Sequence, residues 1–169
     1  MLQIYTGQGK GKTTAALGLA LRLVGAGKKV LLVQFLKDGR SSEIKAIEKY
    51  LPNFKVRTFG RRVFLNERNL TKKDFDLARQ GLDLARKAAQ SRKYNLIILD
   101  EVNVAVSLRL LKKEDLISFV KKVPNRIEIV LTGRQASREI VRLADLVTEM
   151  KETKHYFKKG LKARKGIEY

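Results

Sequence analysis

The sequence predicts an α/β fold: one domain over residues 1–169, with a mostly parallel sheet flanked by helices on both faces. Three observations carry that reading. Short apolar runs alternate with longer amphipathic stretches, as strands joined by crossover helices require. Val30 to Phe35 is a continuous apolar run, the mark of a strand covered on both sides. Finally, Thr6-Gly7-Gln8-Gly9-Lys10-Gly11-Lys12-Thr13-Thr14 stands between an apolar run and an Ala/Leu-rich helical pattern. Strand, glycine-rich turn and helix together are the setting of a phosphate-binding loop.

In chain order, Leu2 to Tyr5 reads as the first strand and Ala15 to Val24 as the first helix. Val30 to Phe35 follows as a strand, Ser42 to Tyr50 as a short helix ended before Pro52, and Phe54 to Phe59 as a third strand. Asp74 to Ser91 is a helix by the spacing of Phe75, Ala78, Leu82 and Ala85, with Thr71 as cap and Asp74 making an imperfect capping box. Leu96 to Leu99 is a strand, Glu114 to Val123 a helix and Ile127 to Leu131 a strand. Ser137 to Leu143 is a helix and Leu146 to Met150 a last strand. No internal repeat, low-complexity tract or linker interrupts them.

Glycines at 7, 9 and 11 let the loop backbone curl so that successive N–H groups face an anion. The helix that follows adds unpaired N–H groups and the positive end of its dipole. Lys12 is placed to reach phosphates as a point charge, and the Thr13 hydroxyl to ligate Mg2+. Thr6 stands where the generic pattern has glycine. The expected nucleotide-binding set is Thr6, Gly7, Gln8, Gly9, Lys10, Gly11, Lys12, Thr13 and Thr14, and the fold a P-loop NTPase of the RecA-like kind.

The second constellation is Leu96-Ile97-Ile98-Leu99-Asp100-Glu101. A hydrophobic strand ending on acids puts carboxylates at the carboxyl edge of the sheet, where open α/β folds bind ligands. Asp100 is expected to hold Mg2+, directly or through water. Glu101 is either a second metal contact or a base for water in a hydrolase. Loop and acids together call for a Mg-nucleotide.

Lys plus Arg total 37 against 17 acids, a net charge of +20. That balance favours polyanionic partners, nucleic acid first. The basic residues come, however, in scattered pairs such as Arg61-Arg62, Lys112-Lys113 and Lys158-Lys159, which read as solvated surface and disfavour nucleic acid. The absence of cysteine excludes a disulfide framework or a thiolate site, and the single histidine, His155, leaves little room for a histidine metal site or a serine triad. The chain opens on a strand without a signal-like segment and has no apolar run of membrane-spanning length. A cytoplasmic protein with no membrane partner is the expectation.

Over nearly its whole length the chain resembles the P-loop corrinoid adenosyltransferases. Thr6 to Ala16 is similar to that family's variant loop, its non-glycine first position included. Lys28-Lys29-Val30 through Val33-Gln34-Phe35 resembles the second strand, and Leu99-Asp100-Glu101 followed by Asn103 the acidic strand end. Leu131-Thr132-Gly133-Arg134 and Leu143 to Glu149 look like its late segments. The tail is the most family-specific piece: Lys154-His155-Tyr156-Phe157, then Gly160-Leu161-Lys162-Ala163, closing on Gly166-Ile167-Glu168-Tyr169.

The resemblance implies that cobalt(I) of a reduced corrinoid attacks C5′ of ATP and that inorganic triphosphate leaves. It implies a nucleotide lying reversed in the loop, with Lys12, the loop amides and Mg2+ at Thr13 stabilising the leaving group, and Asp100 and Glu101 beside them. Arg22 matches the family's arginine near the nucleotide, and equally complements a helix C-terminus. A flavoprotein-type reductant and a homodimer are further implications. Better-known members carry an N-terminal extension that helps cover the corrinoid, whereas this chain begins at its first strand. They also have a Phe/Trp pair that displaces the lower axial ligand of cobalt. The corresponding region here reads Gly60-Arg61-Arg62-Val63-Phe64-Leu65-Asn66, without tryptophan, leaving Phe64 as the aromatic candidate or as an ordinary packed residue. The rival readings are a P-loop ATPase or kinase, in which Glu101 orients water or a hydroxyl acceptor, and a nucleic-acid-binding RecA-like ATPase.

Overall fold

The computed structural model describes residues 1–63 and 65–168. Its sheet has six strands: β1 (Leu2–Thr6), β2 (Val30–Phe35), β3 (Phe54–Phe59), β4 (Leu96–Asp100), β5 (Glu128–Thr132) and β6 (Leu146–Glu149). Their spatial order is β3-β2-β4-β5-β1-β6. Every pairing is parallel, so the sheet expected to be mostly parallel is wholly so. Helices α1 (Lys12–Gly25), α2 (Ser42–Tyr50), α3 (Lys72–Ser91), α4 (Val102–Ser107), α5 (Lys113–Lys122) and α6 (Arg138–Val141) lie in the crossovers.

Alternation along the strands divides the interior into two cores. Leu31, Val33 and Phe35 of β2 and Ile97 and Leu99 of β4 pack with Ala78, Leu82 and Ala85 of α3 and with Leu116 and Phe119 of α5. Val30, Leu32, Leu96, Ile98 and Val130 face the other way, onto Ala16 and Ala20 of α1 and Ile44 and Ile47 of α2. Burial on both faces explains why β2 and β4 read as apolar runs. Gln34, Asp100 and Thr132 share the parity of the second set. The register pairs Gln34 with Asp100 and Leu99 with Leu131, which lines up these three buried polar side chains at the carboxyl ends of adjacent strands, beside the start of α1.

Several boundaries differ from expectation for local reasons. Helix α1 starts at Lys12 and not Ala15, because Gly11, at φ 116°, delivers the loop straight into the first turn. Helix α3 starts at Lys72, and its capping box is complete: the Asp74 carboxylate accepts the Thr71 N–H at 2.8 Å. Helix α6 is one turn, with the Ser137 hydroxyl accepting the Ile140 N–H at 3.3 Å. Helix α4 was not expected, since six residues are too few to display a helical period. A 3-10 turn at Tyr156–Lys159 is the other addition.

Gly60, just past β3, is pressed against the exit of β2. A Cβ there would lie 2.2 Å from the Lys37 nitrogen and 2.3 Å from the Leu36 carbonyl carbon. No helix among the described residues is long and apolar enough to cross a membrane.

Candidate functional site

The loop turns from β1 into α1 beneath the segment that follows β6. Met150 donates its N–H to the Thr6 carbonyl at 2.8 Å and accepts the Gly9 N–H at 2.6 Å. A Cβ on Gly7 would lie 2.5 Å from the Met150 carbonyl oxygen, so close approach adds to the demand of its φ of 93°. Thr6 ends β1 with its hydroxyl oxygen 3.4 Å from the Ala136 N–H. Lys12 is buried, and its ammonium donates to the carbonyls of Gly7 at 2.8 Å and Gly9 at 2.6 Å. Burial pushes that ammonium below its ordinary pKa. Thr14 is exposed in the first turn of α1.

Asp100 is the hub of the site. One oxygen accepts the hydroxyls of Thr13 at 2.8 Å and Thr132 at 2.6 Å; the other accepts the Gln34 amide at 3.0 Å and the Lys37 ammonium at 3.1 Å. These donors fill the carboxylate's acceptor sites. Burial works against its charge, but Lys37 and the three uncharged donors prevail and hold Asp100 below the usual carboxylate range. Glu101 follows in the left-handed region, φ 61°, with its N–H on the Thr132 hydroxyl at 2.9 Å and its carboxylate 3.7 Å from Lys37. Burial, and then the charge of Asp100, pushes the Glu101 carboxyl up. Lys37 is opposed by burial, yet the two carboxylates hold it above its ordinary value.

This geometry bears on how Mg2+ would be held. Asp100, with both oxygens occupied, would act through Thr13: by taking the hydroxyl proton it leaves the oxygen's lone pairs free for a cation. Glu101 stands next to it. The Gln34 side-chain oxygen is buried, accepts no hydrogen bond and belongs to a residue lining the adjoining cleft. Thr13, Glu101 and Gln34 offer hard oxygens only, which fits Mg2+. Among the described residues no three His, Cys, Asp or Glu side chains form a metal cluster, so phosphate oxygens and water would complete the shell.

The cleft has a volume of about 1110 Å³ and is bounded by exposed Gln8, by Glu101, by residues 36–41 and by Glu168. Arg61, Val63 and Leu65 line another wall. Arg61 is anchored to the start of α3 by a bidentate pair with Asp74, both contacts 2.7 Å, which holds the Asp74 carboxyl at about 2. Phe64 lies outside the described residues.

One expectation needs correction. Arg22 is exposed in the last turn of α1, ten residues past Lys12, or about 15 Å along the axis. The structure does not bring it to the loop, and its place is that of a cation complementing a helix C-terminus. Lys10 contributes backbone to the loop, but its side chain turns to the tail, donating to the Tyr156 hydroxyl at 2.8 Å, the Ile167 carbonyl at 3.0 Å and Glu168 at 3.2 Å. Lys37, and the roles of Gln34 and Thr132, were not anticipated. The available signal was a glutamine near the end of an apolar strand and a lysine just beyond it, both at the sheet edge that binds ligands.

A family model described as ATP:corrinoid adenosyltransferase BtuR/CobO/CobP matches residues 1–169. The corrinoid adenosyltransferase of Escherichia coli (strain K12) is 35% identical over 167 residues, 98% of this chain and 84% of that protein. Corrinoid adenosyltransferase CobA of Salmonella typhimurium has the same identity and coverage. That of Sinorhizobium sp is 32% identical over 172 residues, 100% of this chain and 80% of its own length. The chain belongs to the ATP:corrinoid adenosyltransferase family.

Proposed function

We propose that the protein, acting as a single domain over residues 1–169, transfers the 5′-deoxyadenosyl group of ATP to cobalt(I) of a reduced corrinoid and releases inorganic triphosphate. One observation carries the reading beyond the family match. The phosphate loop at Gln8, together with Glu101 beyond β4, faces a cleft of about 1110 Å³, at the upper end of the roughly 300–1,000 Å³ of ordinary small-molecule sites. A nucleotide alone does not need such a cleft; a macrocyclic second substrate does.

Cobalt(I) supplies the electron pair of the new Co–C5′ bond. The C5′–O bond breaks, its pair leaves with triphosphate, and cobalt passes formally to cobalt(III). No proton moves, so no base is required, and Glu101 acts by charge and position. Lys12 and the loop N–H groups stabilise charge developing on the leaving oxygen. Thr13, oriented by Asp100 and with Glu101 and Gln34 nearby, would hold Mg2+, which when bound would supply Lewis-acid neutralisation of the triphosphate. The loop and the cleft walls hold carbon, cobalt and leaving oxygen in line. Phe64, between two cleft-lining residues in sequence, belongs to this reading as the residue beneath the corrin ring. So do a cytoplasmic location, a homodimer, and a flavoprotein-type reductant attracted to the +20 chain.

Anaerobic incubation with Mg-ATP and cob(I)alamin should give a light-sensitive adenosylated corrinoid and triphosphate one for one, without ADP. Steady ADP release in the absence of corrinoid would replace this reading with a P-loop hydrolase. Stimulation of that release by single-stranded DNA would favour the nucleic-acid-binding ATPase.

A further inference from the structure

The loop carries two lysines, and only one is turned inward. The Lys10 ammonium reaches Tyr156, Ile167 and Glu168 and stands 5.5 Å from the centre of the Tyr156 ring. The Tyr156 hydroxyl donates to the same Glu168 carboxylate. Arg164 closes the cluster: its N–H donates to Glu168 at 2.6 Å, and its guanidinium lies 5.0 Å from the Tyr156 ring centre. Glu168 also lines the cleft. A continuous chain of contacts therefore runs from the phosphate loop, through the tail, to a cleft wall.

Among the described residues, little else holds the tail. From 151 to 168 no residue is buried. Lys10 and Glu168 are 41% and 17% exposed at the side chain, and ion pairs this close to solvent are individually weak. A segment docked by such contacts, without an apolar anchor, sits near the low-stability end of the fold, where its population responds to small biases.

Building on the function proposed above, we propose that Lys10 is a positioning residue that couples the two substrate sites. A triphosphate seated in the loop fixes the backbone from Gly7 to Gly11, and with it the origin of the Lys10 side chain. The ordered lysine holds Tyr156 and Glu168, and Glu168 completes the wall against which the corrinoid packs. Part of the ordering cost of the tail is thus met before the corrinoid arrives. Linkage requires the corrinoid to strengthen nucleotide binding by the same factor.

The test titrates cob(II)alamin, which accepts no adenosyl group, into the protein with and without Mg-ATP. Mg-ATP should tighten corrinoid binding about tenfold in the parent, within the usual range of such couplings. The ratio should fall to near one in Lys10→Met and in Glu168→Gln, and Lys10→Arg should recover most of it. Tyr156→Phe, a change in a tail without buried residues, should reduce it and guards against misfolding of a loop variant. Limited trypsin digestion gives a readout independent of corrinoid: Mg-ATP should slow cleavage between 158 and 165 in the parent but not in Lys10→Met. Undiminished coupling or protection in Lys10→Met would overturn the proposal. So would loss, in that variant, of the melting-temperature rise with Mg-ATP, which would make Lys10 a phosphate ligand. A parent that binds Mg-ATP and protects its tail but takes up no corrinoid would refute the functional reading, with the clasp still supported by the digestion.

Discussion

The site has two halves made of opposite materials. At the ends of β2, β4 and β5, Gln34, Asp100 and Thr132 are wholly buried, and Asp100 spends every acceptor position on a neighbour. At the tail, Tyr156 and Glu168 meet Lys10 at the surface, Arg164 pairs with Glu168, and no residue from 151 to 168 is buried. A buried, satisfied network holds its geometry because each alternative leaves a polar group unpaired. An exposed clasp gives way at little cost. The rigid half suits phosphates and metal, whose oxygens must be met within fractions of an ångström. The yielding half suits a substrate too large to enter a closed cavity.

The sharpest way to break this contrast is Asp100→Asn. The amide puts a donor where only donors converge, and removing one charge from a buried pair typically costs about 3–5 kcal/mol. Urea unfolding should show that loss, whereas Glu101→Gln should stay within about 1 kcal/mol of the parent. Glu101→Gln should instead lower activity in a way that excess Mg2+ partly restores. Equal stability losses for the two variants would erase the distinction between hub and neighbour.

Lys12→Ala comes next. Removing a preorganised donor of this kind costs about 10²–10³ in kcat. The melting-temperature rise on adding Mg-ATP should vanish while the fold persists; a rise equal to the parent's would show that the loop is misassigned.

Arg61 and Asp74 belong to neither half and sharpen the comparison, since a partly exposed arginine of the cleft wall is tied there to a buried acid. Asp74 titrates at about 2 in the fold and near ~3.9 unfolded. The folded value is the lower, so the stabilisation is complete above the unfolded value and is lost as pH falls toward about 2. Arg61→Met should be destabilised near neutral pH and show a flatter decline between the two pKa values. Parallel declines for parent and variant, followed by urea unfolding at each pH, would place the acid sensitivity elsewhere.

The two halves also differ in how far the sequence disclosed them. The loop was legible because its glycines, Lys12 and Thr13 are neighbours in the chain, and the acids because Asp100 ends a recognisable strand. Lys37 and Thr132 reach Asp100 only because β2 and β5 flank β4. Strand adjacency is a tertiary fact, and apolar runs of similar character do not reveal which lies beside which. The side-chain role of Lys10 was not legible in the sequence, because its partners are 146 to 158 residues away. Arg22 was misplaced by resemblance, although helical rise alone sets it turns away from the loop. Helix α4, buried at Val102 and Ala105, was too short for its period to register.

Gly60 ties the history of one strand to that of another. What bars a side chain there is the backbone of residues 36 and 37, not its own dihedral angles. Any larger residue would have to push the exit of β2 aside, and Lys37 would be carried off with it from Asp100 and Glu101. Substitutions at Arg62 or Val63, which line the cleft beside it, should therefore be tolerated and redraw that wall, while substitutions at position 60 should not. A saturation library over this wall, selected only for adenosyl transfer, would return diversity on one side of an unchanging glycine.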